Sequence, residues 1–236
     1  MLKKEIYGKS KLTLVCVSQW LADRVEQSIL RGHDLHVIPN GIDTDLFAPM
    51  DKVEARRMLG LPLGDFLCGF SADGGFHNPW KGGDLAIELA GCLKAVGCSL
   101  VCIGGEKKEP NGNILALGYL DDPEMMVAAY NAMDLWIHPT RAESFGLVVA
   151  EAMACEIPVI ASNVCAVPEL VVDGVTGVLI NDREAESFLD AIKCLLQDPE
   201  KRHQMGIAAR NRISSDFSEG KMIASYMMLY DELMEK

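Results

Sequence analysis

The sequence contains no apolar stretch long enough for a secretory signal or a membrane span. The residues that follow Met1 to Glu5 are mixed polar and apolar, without such a run. We therefore expect a cytoplasmic protein. Internal repeats and low-complexity tracts are also absent, which argues against solenoid and fibrous architectures.

Basic residues are in the minority. There are 22 Lys and Arg against 34 Asp and Glu, a formal net charge of -12. This balance opposes loose attraction to nucleic acid or to an anionic membrane surface, so nucleic acid is not expected as a partner. A phosphate can still bind locally, because a helix N-terminus and one positioned lysine act within a screening distance of about 8–10 Å.

Spacings typical of metal and dinucleotide sites are missing. No two of the eight cysteines are spaced Cys-x-x-Cys, and most lie in apolar runs, so we expect buried free thiols in a reducing compartment rather than a zinc site. No Gly-x-Gly-x-x-Gly follows any predicted strand, which counts against an unrelated dinucleotide-binding protein.

What is present is an alternation of short β-branched runs and amphipathic helix-length segments. This alternation predicts an α/β fold, a Rossmann-like parallel sheet with helices on both faces. Strands are predicted at residues 13–17, 35–38, 66–70, 99–103, 114–117, 135–138, 158–161 and 177–180. Helices are predicted at residues 19–30, 53–59, 83–95, 123–133, 145–154, 167–172, 183–196, 199–214 and 219–235.

Several predicted helix starts carry capping residues. Asp122 and Asp198 each precede a proline, and Ser18 precedes the first helix, as expected for N-cap positions.

The predicted elements divide the chain into three parts of unequal size. Residues 1–46 hold a single βαβ piece that cannot close a core, residues 47–215 form one α/β domain, and residues 216–236 form a final helix with no strand after it.

The densest polar stretch, residues 139–153, joins the end of a predicted strand to a helix, where ligands bind in open α/β sheets. Ser144 is predicted to cap the helix, and Gly146 leaves backbone amides uncovered for a phosphate or a sugar hydroxyl. Glu143 and Glu151 bracket these amides. Simpler explanations are a helix-dipole contact for Glu143 and a surface carboxylate for Glu151, although apolar neighbours make Glu151 costly to leave unpaired.

The order Glu-Ser-Phe-Gly-Leu-Val-Val-Ala-Glu at residues 143–151, followed by Ile-Pro-Val-Ile-Ala-Ser at 157–162, resembles the signature of family 4 (group 1) glycosyltransferases. The resemblance implies a GT-B architecture of two Rossmann-like lobes, with this chain as the C-terminal, donor-binding lobe and a remnant of the other. It also implies retaining transfer from a nucleotide-diphosphate sugar. Glu143 would contact donor sugar hydroxyls, Ser144 and the amides of Phe145, Gly146 and Leu147 the sugar and diphosphate, and Glu151 the ribose.

Further segments match in order along the chain. Residues 37–43 with Phe47 resemble the family's inter-lobe segment, which adds Asn40 and Gly41 to the expected donor-binding residues. Residues 168–171 and 173–177 resemble the stretch after the donor site. Residues 118–120 resemble the segment near the nucleobase, where Tyr119 is explained equally well by apolar packing.

The loop at residues 70–83 also leaves a strand and enters a helix. In the family it carries a lysine, and commonly an arginine a few residues earlier, that reach the diphosphate; Lys81 fits the first role, and with Glu143 is expected to be catalytic. No arginine stands in this loop, so His77 or backbone amides would have to compensate. A solvated loop residue is the simpler explanation of Lys81.

Two more residues stand out beside the expected site. Glu156 stands where the family usually has glycine, and a positive φ there would cost on the order of 1 kcal/mol. His138 is expected to be a structural or sugar-contacting residue rather than a base.

The resemblance also sets expectations about cofactors and partners. No cofactor and no metal are expected, and the acceptor, whether a sugar, a lipid-linked sugar or a small molecule, cannot be named. A bacterial polysaccharide or glycolipid pathway is expected from family frequency alone. Because residues 1–46 cannot build a whole lobe, the chain should bind donor better than it transfers. The alternative is a non-catalytic nucleotide-sugar-binding subunit that needs a separate N-terminal lobe.

Overall fold

A computed structural model describes residues 2–106 and 113–235. Its main feature is a six-stranded, all-parallel sheet in the order β5-β4-β3-β6-β7-β8. The strands are β3 (Phe66–Ser71), β4 (Cys98–Ile103), β5 (Ile114–Gly118), β6 (Leu135–His138), β7 (Val159–Ser162) and β8 (Gly177–Ile180). A separate parallel pair is formed by β1 (Thr13–Cys16) and β2 (Asp34–Val37).

Helices cover both faces of the large sheet. They are α1 (Leu2–Lys9), α2 (Gln19–Glu26), α3 (Lys52–Leu59), α4 (Gly83–Leu93), α5 (Pro123–Asn131), α6 (Leu147–Ala154), α7 (Val167–Leu170), α8 (Ala185–Gln197), α9 (Pro199–Asp216) and α10 (Glu219–Met234). Helices α3, α5, α6 and α9 enclose one apolar core, and α4 and α8 enclose the other. The predicted α/β class is therefore confirmed.

The central strands are buried on both faces, which explains why they are continuous apolar runs. Gly69 in β3 is required by packing, since a Cβ there would lie 2.4 Å from the Trp136 ring of the neighbouring strand. Within the described ranges, no helix is both long enough and apolar enough to cross a membrane.

All eight predicted strands are present, and β6 and β8 have the predicted bounds. The predicted caps are confirmed, because Ser18, Asp122 and Asp198 each accept a backbone amide from the first turn of their helix. Such a cap stabilises a helix by about 1 kcal/mol.

Some helix bounds were predicted incorrectly. Helix α2 ends at Glu26, not at residue 30, and the Ser28 hydroxyl donates to the Val25 carbonyl beyond that end. Helix α7 ends at Leu170 because Val171 is extended. Helix α1 and three short 3-10 turns, Gly75–His77, Pro79–Lys81 and Lys94–Val96, were not predicted.

The end of the chain returns to the N-terminal unit. Ile42 pairs with Ser218, its amide donates to the Phe217 carbonyl, and its carbonyl accepts from Glu219, at 2.8 and 2.9 Å. Helix α10 then lies beside β2, where Leu229 lines a groove together with Ile38. The final helix thus joins the βαβ unit to the large domain.

Candidate functional site

The strand order reverses between β3 and β6, because α/β connections run outward from this pair in both directions. In such sheets the crevice at the carboxyl ends of the two strands is the usual ligand site. The loop after β3 carries Lys81, and the loop after β6 carries Glu143. The two residues singled out in the sequence therefore come from the two sides of this crevice.

Lys81 and Glu143 form an ion pair, with 2.6 Å between Lys81 Nζ and Glu143 Oε2. Lys81 ends the 3-10 turn Pro79–Lys81, whose first amides are capped by the Asn78 side chain. The next residue, Gly82, has a φ of 79°, and a Cβ there would lie 2.0 Å from the Pro139 carbonyl oxygen. Only glycine lets the lysine turn pack so closely against the end of β6.

The two loops are also fastened by hydrogen bonds. The Trp80 carbonyl accepts from the Thr140 hydroxyl at 3.0 Å and from the Arg141 amide at 2.9 Å. Arg141 Nε donates to the Pro79 carbonyl at 2.9 Å, and its guanidinium also pairs with Asp84. Sequence reasoning missed Arg141, since an arginine in a loop gives no local sign of a partner 62 residues away.

Glu143 is held as a carboxylate. Its side chain is 12% exposed, and this burial raises the pKa. The neighbouring His138 and Lys81 side chains lower the pKa by more than burial raises it, so that the net pKa is about 2. His138 Nε2 lies 3.6 Å from Glu143 Oε2, so this contact is electrostatic rather than a formed hydrogen bond. Buried His138 Nε2 has no hydrogen-bond partner in the described ranges, in keeping with the predicted structural or sugar-contacting role.

The start of α6 is uncapped by any side chain. Gly146 is the N-cap residue with a φ of 105°, and Ser144 does not cap the helix, contrary to the prediction. The Ser144 amide instead donates to Glu143 Oε1 at 3.1 Å. Within residues 2–106 and 113–235, the next four amides, at residues 145–148, donate to no acceptor. An unfilled helix start of this kind favours an anion.

The side chains in this turn have different surroundings. The Phe145 ring is buried and packs edge-on against Phe217, with 5.8 Å between centroids, so only its backbone is available to a ligand. The Leu147 side chain is 47% exposed.

Glu151, in the second turn of α6, has a partner that sequence reasoning missed. Buried Tyr130 of α5 donates its hydroxyl to Glu151 Oε2. Burial raises the pKa of Glu151, and this hydrogen bond opposes the rise. Oε1 receives no hydrogen bond from the part of the chain that the structure describes, so one carboxylate oxygen remains for a ligand.

Tyr119, which directly follows β5, supports the lysine-bearing loop that follows β3. Its hydroxyl donates to Asp73 Oδ1 at 2.9 Å and accepts from the Gly74 amide at 3.0 Å. The residue is 57% exposed, so apolar packing does not explain it. Its predicted contact with a nucleobase remains a prediction.

In the described ranges, no hydrogen bond or ion pair joins Asn40 or Gly41 to Lys81 or Glu143. A Cβ on Gly41 would lie 2.5 Å from Glu219 Cα, and its amide donates to Met222 Sδ at 3.1 Å. Packing against α10 therefore accounts for the glycine, and donor contact by these two residues stays a prediction.

Two further expectations concern His77 and Glu156. His77 is exposed and lines a cavity of about 220 Å³ with Gly104 and Gly105. In the described ranges its side chain forms no hydrogen bond with Lys81. Its predicted compensation for the missing arginine is untested. Glu156 does have a positive φ, 61°, as anticipated for a position that favours glycine. Cys165, with a φ of 52°, was not anticipated.

Five cavities lie in the described ranges at other places, and none of these five is lined by Lys81, Glu143 or Glu151. The pocket that these three residues are expected to share as parts of one donor site is therefore not among these five cavities. One Asp-x-Asp tripeptide, Asp43–Asp45, is present; the Asp43 carboxylate closes a turn by accepting the amides of Asp45 and Leu46 at 3.0 Å each.

A parallel sheet that reverses its strand order and is covered by helices on both faces defines a Rossmann-like lobe. Solved structures of this fold include sucrose-phosphate synthase from Thermosynechococcus elongatus, with a TM-score of 0.85, 24% identity, and coverage of 100% of this chain and 61% of that one. HepE from Anabaena, in complex with UDP-glucose, gives a TM-score of 0.84 at 22% identity, covering 98% of this chain and 66% of that one. These likenesses confirm the GT-B fold class.

The family follows from the sequence comparison. The family model of the glycosyl transferases group 1 matches residues 75–212, and the chain belongs to this family. A D-inositol 3-phosphate glycosyltransferase of Segniliparus rotundus is 34% identical over 211 residues, which are 81% of this chain and 46% of the relative. The chain thus spans about half the length of the curated relatives it matches.

Proposed function

We propose that this chain is the donor-binding lobe of a retaining glycosyltransferase that uses a nucleotide-diphosphate sugar. The observation that carries the proposal is the Lys81–Glu143 pair at the sheet's reversal point, beside four amides that have no acceptor among the described residues. Glycosyl transfer from such a donor builds negative charge on the diphosphate leaving group. Preorganised positive donors stabilise that charge.

The proposed roles follow from the charges of these side chains and amides. Lys81, with a 34% exposed side chain, and the amides of residues 145–148 would face the diphosphate. Glu143, ionised at neutral pH, would accept hydroxyls of the donor sugar, and the remaining oxygen of Glu151 would accept a ribose hydroxyl. Donor binding would therefore exchange the Lys81–Glu143 ion pair for two ligand contacts. No metal and no cofactor enter this proposal.

The relatives support the choice of substrates. HepE is described in complex with UDP-glucose, which supports a nucleotide-sugar donor. A phosphorylated polyol or sugar is supported as acceptor by the name D-inositol 3-phosphate glycosyltransferase. We place the reaction in the cytoplasm, in a polysaccharide or glycolipid pathway, and the eight free thiols support a reducing compartment.

A second candidate is a nucleotide-sugar-binding module that transfers nothing without a partner lobe. The observation that favours it is the isolated β1–β2 sheet, since two strands are too few for a stable independent lobe. Co-purification with a second Rossmann-like protein, and donor binding without transfer, would support this candidate over the first.

Calorimetric titration with UDP, GDP and ADP tests the shared part of both candidates. We expect one diphosphate to bind, and Lys81→Ala and Glu151→Ala each to weaken that binding about tenfold, because each removes a hydrogen bond to a charged group. Lys94→Ala, at an exposed position after α4, is the matched control and should leave binding unchanged. Absence of binding by all three diphosphates, or equal affinity in the variants, would refute the assignment.

A further inference from the structure

Helix α2 of the N-terminal unit is capped by a residue far away in the sequence. The Glu169 carboxylate accepts the amides of Gln19 at 2.9 Å and Trp20 at 2.7 Å, the first two residues of the helix. The Ser18 side chain accepts the third, from Leu21. The amides of the first three residues of α2 are therefore all hydrogen-bonded, two of them to the Glu169 carboxylate of α7.

The segment that carries Glu169 is held in place by hydrogen bonds from α9. Arg212 of α9 donates to the Glu169 and Leu170 carbonyls at 2.7 Å each. The same segment touches the candidate site, since the Ala166 amide donates to the Glu143 carbonyl at 3.2 Å. Ala166, which is hydrogen-bonded to the Glu143 backbone, thus lies only three positions before Glu169, which accepts two hydrogen bonds from the start of α2.

We propose that Glu169 is a positioning residue that couples the N-terminal βαβ unit to the sugar-reading loop around Glu143. This inference rests on the proposed function, because it assigns Glu143 to the donor sugar. The carboxylate and the two amides form charge-assisted hydrogen bonds, and such bonds are stronger than neutral ones. A ligand that orders the Glu143 loop therefore also orders α2, and the coupling is equal in both directions.

The test is amide hydrogen exchange on the full chain, alone and with UDP-glucose, GDP-mannose or ADP-glucose. In the wild-type chain, the sugar nucleotide that binds should slow exchange of the Gln19 and Trp20 amides. In Glu169→Ala these amides should exchange at least tenfold faster without ligand and no longer respond to it. Glu169→Gln, which keeps one acceptor oxygen, should restore part of both effects. Glu124→Ala, in the exposed first turn of α5, is the control.

A second test compares the affinity for the sugar nucleotide with the affinity for the diphosphate. A merely structural role of Glu169 would not change one affinity more than the other. Glu169→Ala should bind the sugar nucleotide about tenfold more weakly, yet bind the matching diphosphate within about threefold of the wild-type chain, because only the sugar contact depends on Glu143. Unchanged exchange at Gln19 and Trp20, ligand-induced slowing that survives in Glu169→Ala, or equal loss of both affinities would overturn the coupling. If no sugar nucleotide binds the wild-type chain, the proposed function fails and the coupling with it. Ligand-free exchange would still show whether Glu169 caps α2.

Discussion

At the scale of single residues, Glu143 links the stability of the fold to pH. Its folded pKa of about 2 lies below the ordinary value of 4.5 because Lys81 and His138 outweigh its burial. A depressed carboxylate pKa stabilises the fold above the unfolded pKa, and this stabilisation is lost as pH falls through the folded pKa. The shift corresponds to a contribution on the order of 3 kcal/mol.

We therefore expect wild-type and Glu143→Gln chains to differ most in free energy of unfolding at pH 7. The difference should shrink as pH falls from about 4.5 to about 2. Urea unfolding of both chains at several pH values measures it. A difference that stays constant from pH 7 to pH 3 would contradict the described surroundings of Glu143.

Glu156 offers a prediction independent of function. Its φ of 61° is unfavourable for any residue with a Cβ, so Glu156→Gly should raise the free energy of unfolding by up to about 1 kcal/mol. The control is Glu124→Gly in the first turn of α5, which should lower it by about 0.5–1 kcal/mol. Thermal or urea unfolding decides the matter, and an equal loss in both variants would disprove the strain.

Site residues could be predicted from the sequence where they belong to a local motif, but not where they depend on a contact with a distant residue. Lys81, Glu143 and Glu151 could be proposed from the sequence because they stand in local motifs at strand-to-helix junctions. Tyr130 was not found, because its bond to Glu151 joins two helices 21 residues apart and leaves no pattern in either.

At the scale of elements, the 3-10 turn at Pro79–Lys81 is held against β6 by Gly82. Gly82→Ala should lower the free energy of unfolding by at least about 2 kcal/mol and weaken nucleotide binding, because its Cβ meets the Pro139 carbonyl and its φ is positive. Gly91→Ala, in α4 with nothing within 4 Å, should instead stabilise by up to about 1 kcal/mol. Equal effects of the two substitutions on unfolding and on binding would contradict the packing of this turn.

Element types were predictable because buried strands are short apolar runs and helix starts carry Ser or Asp caps. The start of α6 was predicted incorrectly. Ser144 is a residue type that commonly caps helices, but Gly146, with its positive φ, is the N-cap residue and the helix begins only at Leu147. A backbone angle of this kind is set by packing around the turn rather than by the local residues. The delayed helix start leaves the amides of residues 145–148 without an acceptor in the part of the chain that the structure describes.

At the scale of the whole molecule, alternation in the sequence predicted a parallel sheet but not its strand order or the return of the chain end. Ile42 and Ser218 are 176 positions apart, and nothing near either residue indicates the pairing. Strand order matters for the account because it brings the loops of β3 and β6 to one crevice. The predicted division at residues 46 and 215 remains a prediction.

The proposed function requires the uncapped start of α6 and Lys81 to bind a diphosphate together. The most direct measurement is a nuclear magnetic resonance titration of the labelled chain with UDP, GDP and ADP, following backbone amides. We expect the amides of residues 145–148 to shift with the diphosphate that binds, and Lys81→Ala to weaken that response. Shifts confined to other parts of the chain, with these four amides unmoved at saturation, would contradict the claim.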